Sequence, residues 1–171
     1  MKRIFLIVCL LFLCSACAIN APAIPACQVE PQWPPLTEPP QMVIDTGSML
    51  IDIGCSSAQW EYDENPKDDL ATAVIACGDH PLNRKDTMTR LPITGESVEL
   101  SFPGGHRPDL VSIRCWSTDH WGNPEAPAES FTMDSHNLRL RDSGTVYEIT
   151  AVWESYSQFS GEATYCFAVE P

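Results

Sequence analysis

Residues 111–116 constrain the fold more than any other stretch, because apolar and polar side chains alternate along them (Val-Ser-Ile-Arg-Cys-Trp). An alternation of period two puts the apolar side chains on one face of a β-strand and the polar ones on the other. Residues 147–153 and 165–169 are the other strong strand candidates. We therefore predict that residues 111–116 form a central strand of a β-sandwich, and that the other two segments are partners that cover it.

Turn residues divide the rest of the domain into short strands. Asp45-Thr46-Gly47-Ser48 separates two apolar runs, which predicts a hairpin with a tight glycine turn. Because no window shows a helical period over three turns, the predicted fold class is all-β, an immunoglobulin-like antiparallel β-sandwich. The region around Trp60 and Tyr62 is less regular. The other predicted strands are residues 71–77, 97–102, 144–154 and 162–170, with short strands around Phe131, Leu138 and Leu140.

The predicted strand at residues 144–154 has two chemically different faces. A strand that is buried on one side and solvated on the other shows this pattern. The face that we expect to be buried carries Tyr147, Ile149, Ala151 and Trp153. The face that we expect to be wet carries Glu148, Thr150 and Glu154.

The N-terminus has the pattern of an export signal. Lys2 and Arg3 precede an unbroken apolar run at residues 4–13, which is too short to span a bilayer but suits a signal peptide. The following Leu13-Cys14-Ser15-Ala16-Cys17 resembles a bacterial lipobox, although leucine is usual where Cys14 stands. We predict a lipoprotein signal peptide at residues 1–16 and lipidation of Cys17, whose several acyl chains would give stable attachment. The alternative is plain secretion after cleavage at Ala16, Ala18 or Ala23.

Proline dominates the segment after the signal. Residues 18–41 hold seven of the fifteen prolines, and such a stretch favours extended polyproline geometry over sheets and helices. We predict a lipid-anchored tether at residues 17–40 and a β-sandwich domain at residues 41–171.

The charge of the chain excludes one class of partner. The sequence holds 10 Lys and Arg against 23 Asp and Glu, and two of the basic residues lie in the signal peptide. Every phosphate contact needs a basic residue to neutralise it, so a nucleic-acid partner is not expected. The acidic excess is also an ordinary way to keep a protein soluble.

One motif suggests catalysis. Residues 43–48 (Val-Ile-Asp-Thr-Gly-Ser) resemble the catalytic loop of aspartic proteases, in which two carboxylates from two loops share a proton. The chain carries one copy, so a dimeric aspartic protease that uses Asp45 is a remote alternative to a plain turn. We find no other catalytic constellation and predict no enzyme and no cofactor.

The sequence also lacks a complete metal-binding pattern. Cys77 and His80 have zinc-site spacing but lack a second pair, and the acidic residues 63–69 lack the EF-hand pattern. No metal site is predicted.

Exposed aromatic rings are the candidate ligand-binding groups. If the domain recognises a glycan, we expect stacking on Trp116, Trp121, Tyr156 and Phe159. For each ring the alternative is packing in the core or a loop.

Cysteine parity predicts the environment of the thiols. Cys115 shares parity with Val111 and Ile113 and is expected in the core, whereas Cys166 is expected to face outward. An exported protein can form disulfides, and Cys55–Cys77 is the best candidate pair.

A set of motifs resembles a known group of proteins. It comprises Gly54 with Trp60 and Tyr62, Asp79-His80-Pro81-Leu82, Arg114-Cys115-Trp116, Trp121-Gly122, and the alternating residues 147–153 and 165–169. These resemble a poorly characterised lipoprotein family of Gram-positive anaerobes, similar to extracellular tail domains of β-lactam-sensor-type membrane metallopeptidases. The resemblance implies an extracytoplasmic accessory domain without a known ligand. The chain departs from it in the longer Gly54-to-Trp60 segment and in Cys55 and Cys77.

The sequence thus favours a lipid-anchored lipoprotein on the extracytoplasmic face of the cell membrane. Its β-sandwich is expected to be a non-catalytic binding or accessory module for an envelope protein or glycan. The alternative is a structural envelope interaction protein.

Overall fold

The computed structural model describes residues 36–64, 71–92, 97–104, 106–133, 136–141 and 143–170. These residues belong to one compact unit, Trp33–Pro171. The signal peptide, Cys17 and residues 17–35 of the predicted tether lie outside the described residues. Among the described residues, no helix is long and apolar enough to cross a membrane.

Among the described residues, eleven strands form two sheets, as the alternation predicts. In chain order they are β1 (Met42–Asp45), β2 (Leu50–Ile53), β3 (Cys55–Tyr62), β4 (Thr72–Ala76), β5 (Thr89–Leu91), β6 (Ser97–Ser101), β7 (Leu110–Ser117), β8 (Glu129–Thr132), β9 (Asn137–Arg139), β10 (Thr145–Trp153) and β11 (Phe159–Val169). The helical segments within the described ranges are two single 3₁₀ turns, Pro81–Asn83 and Thr118–His120. The small sheet has the order β2-β1-β6-β9, and the large sheet has the order β4-β3-β11-β10-β7-β8. The predicted β-sandwich is confirmed.

The centre of the large sheet differs from the prediction. β10 and β11 occupy the middle, paired over nine residues, whereas β7 is second from one edge between β10 and β8. Only one of the two expected partners therefore pairs with β7. Strand β5 runs parallel to the end of β11, beyond the bulge at Thr164/Tyr165 where pairing with β3 ends.

Large aromatic side chains fill the space between the sheets. Trp153 packs edge-on against Trp60 and Phe102, with 5.3 Å between ring centroids in each pair. Tyr147 stacks on Phe167 at 5.0 Å. The face of β10 that was expected to be buried is buried throughout, so parity predicted this face correctly.

The region around Trp60 and Tyr62, which looked irregular in the sequence, forms strand β3. Its Ala58 and Trp60 point into the core, and the polar residues between and beside them point outward. Where Gly161 of β11 pairs with Trp60 of β3, a Cβ on Gly161 would lie 2.3 Å from the carbonyl oxygen of Gln59. Glycine is therefore required at this position of β11.

Two residues at the end of the predicted tether contact the domain. Trp60 Nε1 donates to the carbonyl oxygen of Leu36 at 2.8 Å, and the Tyr165 hydroxyl donates to that of Pro40 at 2.5 Å. Leu36 also packs against the core. Leu36 and Pro40 of the proline-rich segment therefore contact the sandwich.

A second hydrophobic cluster lies on the outer face of the large sheet, the face turned away from the small sheet. We call it the covering layer; it joins Trp116, Val146, Cys166 and Ala168 of the sheet to Leu82, Met88 and Ala126 of two loops, with Trp121 packed against it. Glu148, which was expected on a wet face, lies beside this layer and is only 6 % exposed. That expectation was wrong because the loops cover one end of the polar face.

Candidate functional site

The rest of the outer face of the large sheet is uncovered, and we call it the open face. A row of hydroxyl side chains crosses five strands of it in register: Ser57, Thr164, Thr150, Ser112 and Thr132. Directly opposed residues of neighbouring strands lie on the same face of a sheet. The row therefore presents hydroxyl groups side by side across β3, β11, β10, β7 and β8.

A shallow depression of about 350 Å³ lies beyond this row. Pairing of Glu162 with Gln59 on one side and Val152 on the other places it in the depression, and Glu61 pairs with the neighbouring Ser160. The residues that line it are Gln59, Glu61, Val152, Glu154, Ser160, Gly161 and Glu162.

Three carboxylates give the depression a negative charge. In the described ranges no Lys or Arg forms an ion pair with Glu61, Glu154 or Glu162. Glu61, Glu154 and Glu162 are exposed, so they keep their hydration until a ligand arrives. The depression can accept cations and hydrogen-bond donors, and it repels anions.

Asp109 fixes the loop that follows β10 and so positions Glu154. Its carboxylate accepts hydrogen bonds from the backbone N–H of Glu154 at 2.6 Å, from that of Ser155 at 2.9 Å, and from the Ser155 hydroxyl. Burial acts to raise the pKa of the Asp109 carboxyl, but these hydrogen bonds outweigh it and lower the pKa. Asp109 is therefore held as the carboxylate beside the backbone of Glu154, which lines the depression.

An ion pair separates the open face from the covering layer. Arg114 Nε donates to Glu148 Oε1 at 2.6 Å, and the Arg114 guanidinium lies 5.3 Å from the centre of the Trp116 ring. The Glu148 side chain is buried while that of Arg114 is half exposed. The arginine thus neutralises the only acidic residue among those described that the large sheet buries on this face.

The four aromatic candidates do not form one binding platform. Trp116 is 4 % exposed, and its indole N–H donates to the Ala126 carbonyl. Phe159 is 5 % exposed and stacks between Trp60 and Tyr156, so neither of these two rings is exposed for stacking on a ligand as we expected. Half-buried Tyr156 packs against the core between the sheets, and half-buried Trp121 against the covering layer. They lie on opposite sides of the large sheet.

The cysteine predictions are partly correct. Cys115 faces the core as expected. Cys166 faces the other side of the sheet, as parity requires, but the covering layer buries it, and this burial raises the pKa of its thiol to about 11.

Cys55 and Cys77 are free thiols, so the predicted disulfide is not formed. The β3–β4 register, continued by one residue, sets Cys77 opposite Ser57 rather than Cys55. Residues diagonal to one another across a sheet are too far apart for a strain-free bridge.

The remaining candidates take structural roles. Asp45 Oδ1 accepts from the N–H of Gly47 at 2.7 Å, and Gly47 has φ of 78°, as in the predicted hairpin turn. His80 Nδ1 accepts from the N–H of Leu82. Over the described part of the chain, no three His, Cys, Asp or Glu side chains form a group that could hold a metal ion.

Comparison with known proteins does not assign the chain to a family. No protein family matches the chain. No curated protein and no solved structure matches it either.

Sequence reasoning missed the hydroxyl row and the depression. The signal was present in the alternation of Ser57, Gln59 and Glu61 along β3, and of Ser160, Glu162 and Thr164 along β11. It could have been read only with the strand pairing, because the row joins residues more than a hundred positions apart.

Proposed function

We propose that the protein is a membrane-tethered extracytoplasmic lipoprotein whose β-sandwich is a non-catalytic module that binds a cationic envelope partner. The observation that carries the binding role is the depression on the open face, with three carboxylates that no described basic residue neutralises. The lipobox-like Cys17 and the resemblance to extracytoplasmic lipoproteins support the location. We infer an accessory domain of the kind that the resemblance implies.

The partner is defined by its chemistry. A cation is attracted to Glu61, Glu154 and Glu162, and hydroxyl or amine groups can bond to the row of hydroxyl side chains next to them. Two envelope sources have this chemistry: basic segments of proteins and glycans that carry free amines.

The binding role is tested with a glucosamine hexamer (a cationic glycan) and with hexalysine, titrated by calorimetry into the full-length chain. We expect both to bind and Glu162→Gln to weaken them about tenfold, since a charge pair at a partly desolvated site contributes on the order of 1–2 kcal/mol. Glu125→Gln is the matched control, because Glu125 is exposed outside the depression and the change in net charge is the same. Equal weakening by both variants would refute the site.

The anchor is tested separately by labelled palmitate in cells. We expect incorporation into the wild type and none into Cys17→Ser. An unlabelled wild-type protein recovered from the medium would support secretion instead.

A further inference from the structure

Strand β4 is an open edge of the large sheet. It pairs with β3 on one side, and no described strand pairs with its other side. All five of its side chains are exposed. On the side that no described strand occupies, its backbone N–H and C=O groups can therefore hydrogen-bond to an incoming strand.

The composition of this edge does not protect it from such pairing. Edge strands usually carry charged residues, proline or a bulge, but β4 reads Thr-Ala-Val-Ile-Ala. Val74 and Ile75, on opposite faces of the strand, are 36 % and 71 % exposed. An added strand would bury apolar surface on both faces.

The outer face next to this edge is acidic. Ala73 is directly opposite Glu61, and Ile75 is directly opposite Gln59, which pairs in turn with Glu162. Neighbouring strands lie about 4.8 Å apart. A Lys or Arg on an added strand beside Ala73 can therefore extend over the small alanine side chain to the Glu61 carboxylate.

Charge decides between two occupants. A second copy of this chain could pair β4 with β4, but each copy carries the same excess of 23 acidic over 10 basic residues and its own Glu61. Like charges would then face each other near the contact. A basic segment of another protein meets the complementary charge.

We propose that β4 binds an extended segment of a partner protein by strand addition. The segment places a basic side chain over Ala73 toward Glu61 and an apolar one against Ile75. Main-chain hydrogen bonds give affinity and the alternate side chains give specificity. This inference rests on the proposed function and specifies its partner as a peptide.

The test uses fluorescent peptides built on Thr-Lys-Val-Val-Thr with Gly-Ser flanks, and the full-length chain. We expect the Lys peptide to bind and a Glu-for-Lys peptide to bind about tenfold more weakly, because like charges meet at Glu61. A fully N-methylated Lys peptide should not bind, since it keeps the charge but cannot form the ladder.

Two exposed aliphatic residues on edge strands, Ile75 and Leu50, provide a matched pair of variants. Ile75→Lys puts a charge on the β4 edge and should abolish peptide binding, whereas Leu50→Lys does the same on the β2 edge of the small sheet and should leave it unchanged. Leu50 is 70 % exposed against 71 % for Ile75, so neither change disturbs the core. Glu61→Gln should reduce the salt dependence of peptide binding.

The outcomes separate the two proposals. Equal binding of the N-methylated peptide, or equal loss in Leu50→Lys, would overturn strand addition at β4. A dimer that Ile75→Lys abolishes, without peptide binding, would overturn it in favour of a second copy. Binding of the glucosamine hexamer without the Lys peptide would keep the proposed function and remove this inference.

Discussion

The two ends of the outer face of the large sheet are built by the same strands, yet one end is buried and the other is open. Trp116, Val146 and Ala168 are buried at the covered end. At the other end of the same strands, six residues from Val146 and from Ala168, Val152 is half-buried and Glu162 is exposed. The strand residues change from apolar at the covered end to hydroxyl and acidic at the open end, and the two loops of the covering layer lie over the apolar end. The outer face of this sheet is therefore buried where loops pack on its apolar residues and exposed where its residues are polar.

The largest effect is expected from removing the apolar contact that covers the sheet. Leu82→Ala should lower the free energy of unfolding by about 2–5 kcal/mol, because Leu82 is fully buried in the covering layer. Leu110→Ala on the open face is the control and should cost less than about 1 kcal/mol, since that side chain is 47 % exposed. Urea unfolding measures both. Equal losses would show that the covering layer is not part of the folded core.

The segment of the covering layer that carries Leu82 and Met88 approaches strand β3 closely at Gly78. A Cβ on Gly78 would lie 2.2 Å from the carbonyl oxygen of Ser56, so Gly78→Ala should lift the segment and destabilise the fold by about 1–3 kcal/mol. Lifting should also speed labelling of Cys166 by a thiol reagent, because burial raises the pKa of this thiol to about 11. Gly54→Ala is the control, because among the described residues no atom beyond its chain neighbours lies within 4 Å of its Cβ position. Unchanged labelling in Gly78→Ala would contradict this account.

The border between the two ends depends on one ion pair. Arg114→Ala leaves the buried Glu148 carboxylate without its partner, which should cost about 1–3 kcal/mol. Arg141→Ala breaks a pair with the exposed Glu129 and should cost at most about 1 kcal/mol. Chemical unfolding of both variants makes the comparison. If Arg141→Ala proved as costly, burial of Glu148 would not be the reason.

Local patterns predicted the alternating strands but not what covers them. The parity of β10 placed Tyr147 and Trp153 in the core, and the turn at Gly47 followed from residue type. Trp116 was expected to be exposed because its parity is that of Arg114. Its burial depends on Leu82 and Ala126, which lie in loops outside the strands. The alternation of residues along β7 therefore carries no information about them.

Strand pairing is similarly non-local. β5 is three residues long and pairs in parallel with the end of β11, almost eighty positions away. The depression was missed for the same reason, since Glu61 and Glu162 meet only through the β3–β11 register. Each of these features depends on how two distant segments pair, so neither segment alone predicts it.

The smallest effect concerns the open end and is seen as a pH dependence. Hydrogen bonds lower the pKa of Asp109 in the folded protein despite the opposing effect of burial. A carboxyl with a lower pKa in the folded than in the unfolded state contributes stability above its unfolded value, about 3.9, and loses it as the pH falls through the folded value. Asp109→Asn should therefore cost about 0.5–1 kcal/mol near neutral pH and less in acid, because the side chain is exposed and solvent weakens its bonds. Thermal unfolding from about pH 7 down to about pH 3 measures the difference. A constant gap between variant and wild type across this range would mean that the charge of Asp109 does not hold the loop that carries Glu154, and that the hydrogen bonds alone position the rim of the depression.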